Sequence, residues 1–240
     1  MTMDVLMLRF DAPLMSFGGP AVDSYGVIQP FPALSMVCGL LGNALGYGHQ
    51  DAESLQSLQH RLSVAIRRDQ SGTRIQDYQT VNLGQVFMRS DRGWTTRGSL
   101  DERKGGDASS ATHIRLREYR ADAIYTLAIA LDPTDVEPTL EQLADALEYP
   151  EHPLFIGRKA CLPATRLLLG LAHADDLREA LCDPRWSLQS GSFEACWPVL
   201  PGDAMNHRPI TDIRDWANQI HVGERWIATG PVIVPDKEAE

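Results

Sequence analysis

The chain has 240 residues, 43% hydrophobic and 22% charged, a balance that excludes disordered, collagen-like and coiled-coil classes and suffices to bury a core without disulfide staples. Its net charge of −10 taken alone argues against a nucleic-acid partner, because phosphates repel an acidic surface. The longest nearly unbroken apolar run, at 123–131, is nine residues and includes Thr126, against about 20 for a membrane helix. Asp4 and Arg9 interrupt any signal-peptide pattern, so an untargeted, cytoplasmic chain is expected.

In chain order, VLMLRF at 5–10 reads as a first strand, followed by a Gly/Pro-rich passage from 12 to 32. Met36, Val37, Leu40, Leu41, Ala44 and Leu45 recur at helical spacing, with Ser35 as the expected N-cap. Gly39, Gly42 and Gly46 are expected to let this helix pack closely on a sheet. RLSVAIRR at 61–68 alternates as a half-buried strand, with Leu62, Val64 and Ile66 inward and Arg61, Ser63, Ala65 and Arg67 outward. Residues 84–113 hold five glycines and nine charges and predict an extended arm, a long hairpin being one form, with a mobile tip near Gly105 and Gly106. IRLREY then places Arg115, Arg117 and Tyr119 on one strand face and Ile114 and Leu116 on the other. Residues 123–131 are apolar on both faces, as a central strand requires. Leu140, Leu143, Ala144 and Leu147 mark a helix, 153–157 a turn delivering GRKAC, and the C-terminal third short strands near 193–199 and 225–229. The order strand, helix, strand, strand, helix, strand over 5–170 predicts an α+β, ferredoxin-like or RNA-recognition-motif (RRM) antiparallel sheet, with a smaller β-containing C-terminal region at 171–240 packing on or completing it.

The net charge hides an asymmetry. Residues 61–120 hold 12 of the 22 Lys and Arg but only 7 of the 32 Asp and Glu. A basic middle in an acidic chain suits a local anion site if that surplus gathers on one face, although a solvated surface would show the same count. Arginine accounts for 19 of the basic residues; its planar fork suits phosphates and stacks on bases, though a GC-rich genome gives the same bias.

Several chemistries find no support. GLLGNALGYG lacks the GK[ST] ending of a phosphate loop, and the first lysine is Lys104. No GxSxG or HExxH occurs, and the four cysteines have no metal spacing, so buried free thiols, no metal and no cofactor are expected. A metal-independent ribonuclease stays open: it needs only a base, a cation and an acid near a 2′-hydroxyl, roles that His113, Tyr119 and Lys159 could fill.

The segments LMLRFDAPLMSFGG, QPFPALSMVCGLLGNALGYG, RIQDYQTV, LREYRADAIYTLAIAL and PLFIGRKACLPA, in this order and spacing, resemble the CasD family. This is the small backbone-capping subunit of the type I-E CRISPR effector complex Cascade, within the RAMP superfamily. The resemblance covers about residues 3–170, and more loosely ERWIATG. It implies a modified RRM-like domain over 1–170, a β-hairpin thumb at about 84–113, and a C-terminal extension. It further implies a non-catalytic subunit that holds the 5′ handle of the CRISPR RNA, caps the CasC backbone and meets the large CasA subunit, and so indirectly target DNA. A relative in another subtype cuts the precursor RNA, which keeps the ribonuclease as the alternative. Two departures stand out: Ala33 where the family often has a basic residue, and Phe17 where it has Trp. The amides near Ser35 would then be left to hold an anion.

Composition and resemblance together nominate Arg67, Arg68, Arg74, Arg97, Arg115 and Arg117 for charge, Tyr78, Trp94 and Tyr119 for rings, and Arg158 with Lys159 to close the pocket. Competing readings are that Tyr78 is core, that Trp94 packs against a neighbouring subunit, and that Arg158 and Lys159 pair with acidic groups of the chain.

Overall fold

The computed structural model describes residues 2–22, 24–48, 50–82, 92–94, 100–102, 112–200 and 207–237. The arm expected at 84–113 lies largely outside them, as does Arg97.

Strand β1 (Met3–Met15) is buried on both sides, with Leu6, Leu8 and Phe10 facing one apolar cluster and Val5 and Met7 another. Such double burial places it mid-sheet. After β2 (Gly18–Val22) and β3 (Tyr25–Ile28) come helices α1 (Leu34–Ala44) and α2 (Ala52–Arg61), then β4 (Leu62–Gln70), β5 (Thr73–Asn82) and the short pair β6 (Arg92–Trp94) and β7 (Leu100–Glu102). Strand β8 (Thr112–Leu131) runs for 20 residues. Helix α3 (Leu140–Glu148) follows, its Thr139 capping box satisfying two end groups and Leu140, Leu143, Ala144 and Leu147 turned inward. The chain ends with β9 (Leu168–Ala174), α4 (Leu177–Ala180), β10 (Gly191–Pro198), β11 (His207–Ile210), the small hairpin β12 (Arg214–Asp215) and β13 (Ile220–His221), and β14 (Arg225–Val234).

The main sheet runs β11-β14-β10-β4-β8-β1-β9, with β2, β3 and β5 attached beside it. Its central pairs, β4 with β8, β8 with β1 and β1 with β9, are all antiparallel. The fold is thus α+β, and β10 adds to the sheet at the edge of β4. Helices α1, α2 and α3 cover one face through a core that includes Phe10, Leu41, Leu58, Leu127 and Leu143. Segment α4 and the turn at Pro184–Trp186 cover the other, over Val5, Met7, Ala128 and Phe193.

Two sequence expectations need correction. Strand β4 is not half-buried: Ala65 and Arg67 sit under the second layer and are 0% exposed, so the face read as outward has a lid of its own. The glycines of α1 do not admit the sheet either. A Cβ at Gly42 would lie 2.4 Å from Leu55 of α2, and one at Gly39 would lie 3.3 Å from Trp216. They admit a second helix and the C-terminal hairpin.

Candidate nucleic-acid interface

Strand β5 pairs with the first half of β8, from Thr73↔Ala121 to Asn82↔Thr112, as a ribbon whose β8 edge is joined by β3 at Leu116 and Arg117. Residues directly opposite in an antiparallel pair share a face. One face therefore carries Gln79 with Arg115, Asp77 with Arg117 and Ile75 with Tyr119; the other carries Arg74 with Arg120, Gln76 with Glu118 and Tyr78 with Leu116. Arg115 and Arg117 are both exposed and stand about 7 Å apart along the strand. Asp77 opposite Arg117 accepts from the side chain of Gln79 at 2.5 Å.

The GRKAC turn fixes the base of this ribbon. Gly157 has φ +98°, and a Cβ there would fall 1.9 Å from the Ser16 carbonyl oxygen, so the turn accepts no other residue without rebuilding. It aims Arg158 across the strands: Nη1 donates to the Glu118 carbonyl at 2.8 Å and Nη2 to that of Gly26 at 3.2 Å. The guanidinium lies 4.8 Å from the centre of the Tyr119 ring. Arg158 thus pins β3 and β8 together, meeting backbone carbonyls rather than the acidic groups weighed from sequence. Lys159 beside it is exposed.

The nominated residues therefore divide. Arg115 and Arg117 share one face, with Arg158 at its base. Arg74 and Tyr78 occupy the reverse face, where Arg74 pairs with Glu118 and Tyr78, 61% exposed, is not core. There Tyr25, Leu116 and Tyr78 stand side by side across β3, β8 and β5. Tyr119 is only 5% exposed and roofed by Arg158, so it offers no ring for stacking. Arg67 is a structural cation: Nε meets Asp69 at 2.6 Å, Nη1 donates to the Leu181 carbonyl, and Nη2 contacts Thr126 Oγ1 and the Trp186 carbonyl. That network ties the second layer to the sheet, and no phosphate can reach it. Arg68 is neutralised by Glu194 and lies 5.8 Å from the centre of the Phe31 ring.

Ser35 is neither N-cap nor anion site. Helix α1 begins at Leu34, and Asp212 from the far end of the chain caps it: its carboxylate accepts from Leu34 N at 2.8 Å and its carbonyl from Ser35 N at 3.2 Å. Arg225 in turn donates to both Asp212 carboxylate oxygens at 2.8 Å. A carboxylate of the chain itself already holds the helix-terminal amides. Trp94 falls in β6, where only the backbone is described.

The ribonuclease trio does not assemble. His113 and Tyr119 lie six residues apart on one strand, roughly 20 Å, and Tyr119 is covered. Burial pushes the thiols of Cys38 and Cys196 up to about 12. Among the described residues no cluster of His, Cys, Asp or Glu fits a metal ion, and no helix is long and apolar enough to cross a membrane.

Sequence reasoning gave no role to the hairpin at 214–221, where Arg214, Trp216 and His221 line a groove beside Arg158. The alternation of a two-residue strand is too short to read, and His221 carries no motif.

Residues 5–228 match the family model described as CRISPR-associated protein (Cas_Cas5). Over 184 residues the chain is 30% identical to the CRISPR system Cascade subunit CasD of Escherichia coli (strain K12), covering 73% of this chain and 75% of that one. A solved CRISPR RNA-guided surveillance complex includes a chain with TM-score 0.67 and 22% identity, over 96% of this chain and 91% of that chain. A crystal structure of a Cas protein superposes with TM-score 0.65 at 21% identity, over 98% and 100% of the two chains.

Proposed function

This chain belongs to the Cas5 family of CRISPR-associated proteins, and from that membership we propose that it is a non-catalytic, RNA-binding subunit of a type I-E Cascade complex. In this reading it holds the 5′ handle of the CRISPR RNA, caps the row of CasC backbone subunits, and offers a surface to the large CasA subunit beside target DNA. The observation that carries the reading is the ribbon face bearing Arg115 and Arg117 above the Arg158 clamp. It is a local cationic surface on a chain of net charge −10, and local charge decides where a polyanion lands.

The relative named as a Cascade subunit supports the assembly role. The central strand order β4-β8-β1-β9, with helices after β1 and after β8, supports a ferredoxin-like or RRM-type domain over 1–170. Residues 171–240 form its C-terminal extension, and the β5–β8 ribbon is the stem of the thumb. The separation of His113 from a covered Tyr119 supports the non-catalytic reading. The acidic remainder of the surface faces solvent or basic patches of partner subunits in the cytoplasm.

The test is a pull-down of the tagged chain from cells that hold its neighbouring genes, with sequencing of any bound RNA. The expected result is co-purified backbone subunits and full-length guide RNA sharing one 5′ segment. Recovery of the partners without RNA would overturn the RNA-binding role. Cleavage of repeat RNA by the pure chain without metal would replace it with the endoribonuclease.

A further inference from the structure

A groove of about 470 Å³ opens between α1, the GRKAC turn and the β12–β13 hairpin. Among the described residues six buried side-chain polar atoms lack a hydrogen-bond partner, and three of them belong to residues lining this groove: Ser16 Oγ, Arg214 Nε and Trp216 Nε1. Ser16 is 2% exposed and Trp216 8% exposed. Arg Nε and Trp Nε1 can only donate, so the unmet demand is for an acceptor. Such demand is costly to leave in a folded protein, and half of it falls on residues of this one groove.

The hairpin that supplies these groups is held in place. Gln59 of α2 accepts from Arg214 N at 3.1 Å and donates to its carbonyl at 2.8 Å, while Gln56 accepts from Trp216 N at 3.3 Å. Arg214 lies directly opposite His221 in the ladder, so their side chains share a face. Arg158 completes a lining with two guanidinium groups and an imidazole but no Asp or Glu. Neither guanidinium has a carboxylate of the described residues within ion-pair distance, whereas Arg67, Arg68, Arg74 and Arg225 each have one. Burial lowers the pKa of Arg214 with no anion to offset it. The rest of the wall is apolar, from Met36, Leu40 and Phe155. Donors and cations joined to an apolar wall, in a volume within the range of small-ligand sites, suit a phosphate carrying a flat base.

We propose that this groove binds one nucleotide, its phosphate held by Arg214 and His221 with the charge of the clamped Arg158 beside them, and its base lying along the apolar wall beside Trp216. The inference rests on the RNA-binding reading for the source of that nucleotide: Arg158 also roofs Tyr119 at the foot of the cationic ribbon, so a strand leaving the ribbon arrives at the groove.

The experiment follows the indole ¹⁵N–¹H cross-peaks of the five tryptophans in the full chain, with Trp216 assigned from Trp216→Phe. Adenosine and uridine 5′-monophosphate, inorganic phosphate, an acidic peptide and single-stranded RNA are titrated separately. The expected result is a saturable shift of the Trp216 indole with either mononucleotide, a weaker one with phosphate, and a loss of affinity of about tenfold in Arg214→Gln and in His221→Gln, as for one charge-assisted hydrogen bond. His221 is exposed, so the second variant keeps the measurement valid should the first unfold. A Trp216 signal unmoved by both mononucleotides, or moved by the acidic peptide alone, overturns the proposal. RNA that binds while Trp216 stays still sinks the groove and leaves the ribbon reading intact. Mononucleotide shifts with no RNA binding do the reverse.

Discussion

Replacing Arg115 and Arg117 together by alanine tests whether the ribbon face grips a polyanion. Each neutralised phosphate contributes about 0.7 to the slope of log affinity against log salt for a single strand, so losing two contacts should flatten the slope by about 1.4. Between 50 and 200 mM salt the wild-type chain should therefore lose about sevenfold more affinity than the double variant. At fixed salt each exposed contact is worth about 1 kcal/mol once solvent screening is allowed for, which makes the double variant about thirtyfold weaker. Both side chains are exposed, so stability should change by no more than about 0.5 kcal/mol per site. Fluorescence anisotropy on a labelled single-stranded repeat RNA, across a salt series, reads both quantities. Arg74→Ala is the internal control, because Arg74 is on the reverse face and paired with Glu118. An unchanged salt slope in the double variant, or an equal flattening in Arg74→Ala, would refute the assignment of the face.

Arg67→Ala should leave the salt slope intact but destabilise the fold by about 3 to 5 kcal/mol, since it strands the buried Asp69 carboxylate, 4% exposed, and frees the second layer; denaturant unfolding measures it. Gly157→Ala should cost about 3 kcal/mol or more, because the new Cβ meets the Ser16 carbonyl and φ is positive, whereas Gly18→Ala, with nothing within 4 Å, should be close to neutral in the same unfolding assay. With their thiols raised to about 12, Cys38 and Cys196 should resist a maleimide at neutral pH while half-buried Cys182 reacts, and peptide mass spectrometry that found Cys38 modified in the folded chain would contradict this.

Much of the frame was legible in sequence because hydrophobic period is a local signal. The strand at 5–10, the helix with Leu140, Leu143, Ala144 and Leu147 inward, and the central strand at 123–131 all lie inside observed elements. What sequence cannot carry is the fate of a charge, which depends on partners far along the chain. Arg67 and Arg117 look alike in the primary structure, yet Leu181 and Trp186 close over the first and no such layer covers the second. Asp212 reaches helix α1 from 178 residues away, and no capping signature near Ser35 could foretell it. Sequence alone, blind to strand pairing, places Tyr78 and Arg117 in one pocket; only the register of β5 on β8 sets them on opposite faces.

That register also sets how an acidic chain presents the arginines of β8. The far half of β8 continues the hydrogen-bonded line of the core strand paired with β1, so the arginines it carries are oriented by the core instead of by a free loop. Alternation then sorts the charges: Glu118 and Arg74 share one face, and Arg115, Arg117 and Asp77 the other. Arg158, satisfied by two carbonyls and the face of Tyr119, fixes the angle between this half-strand and β3. A guanidinium engaged in that way positions the surface more than it adds charge to it. Its replacement by lysine would keep the charge but lose the planar fork, which separates the clamp from the electrostatic contribution of the two exposed arginines.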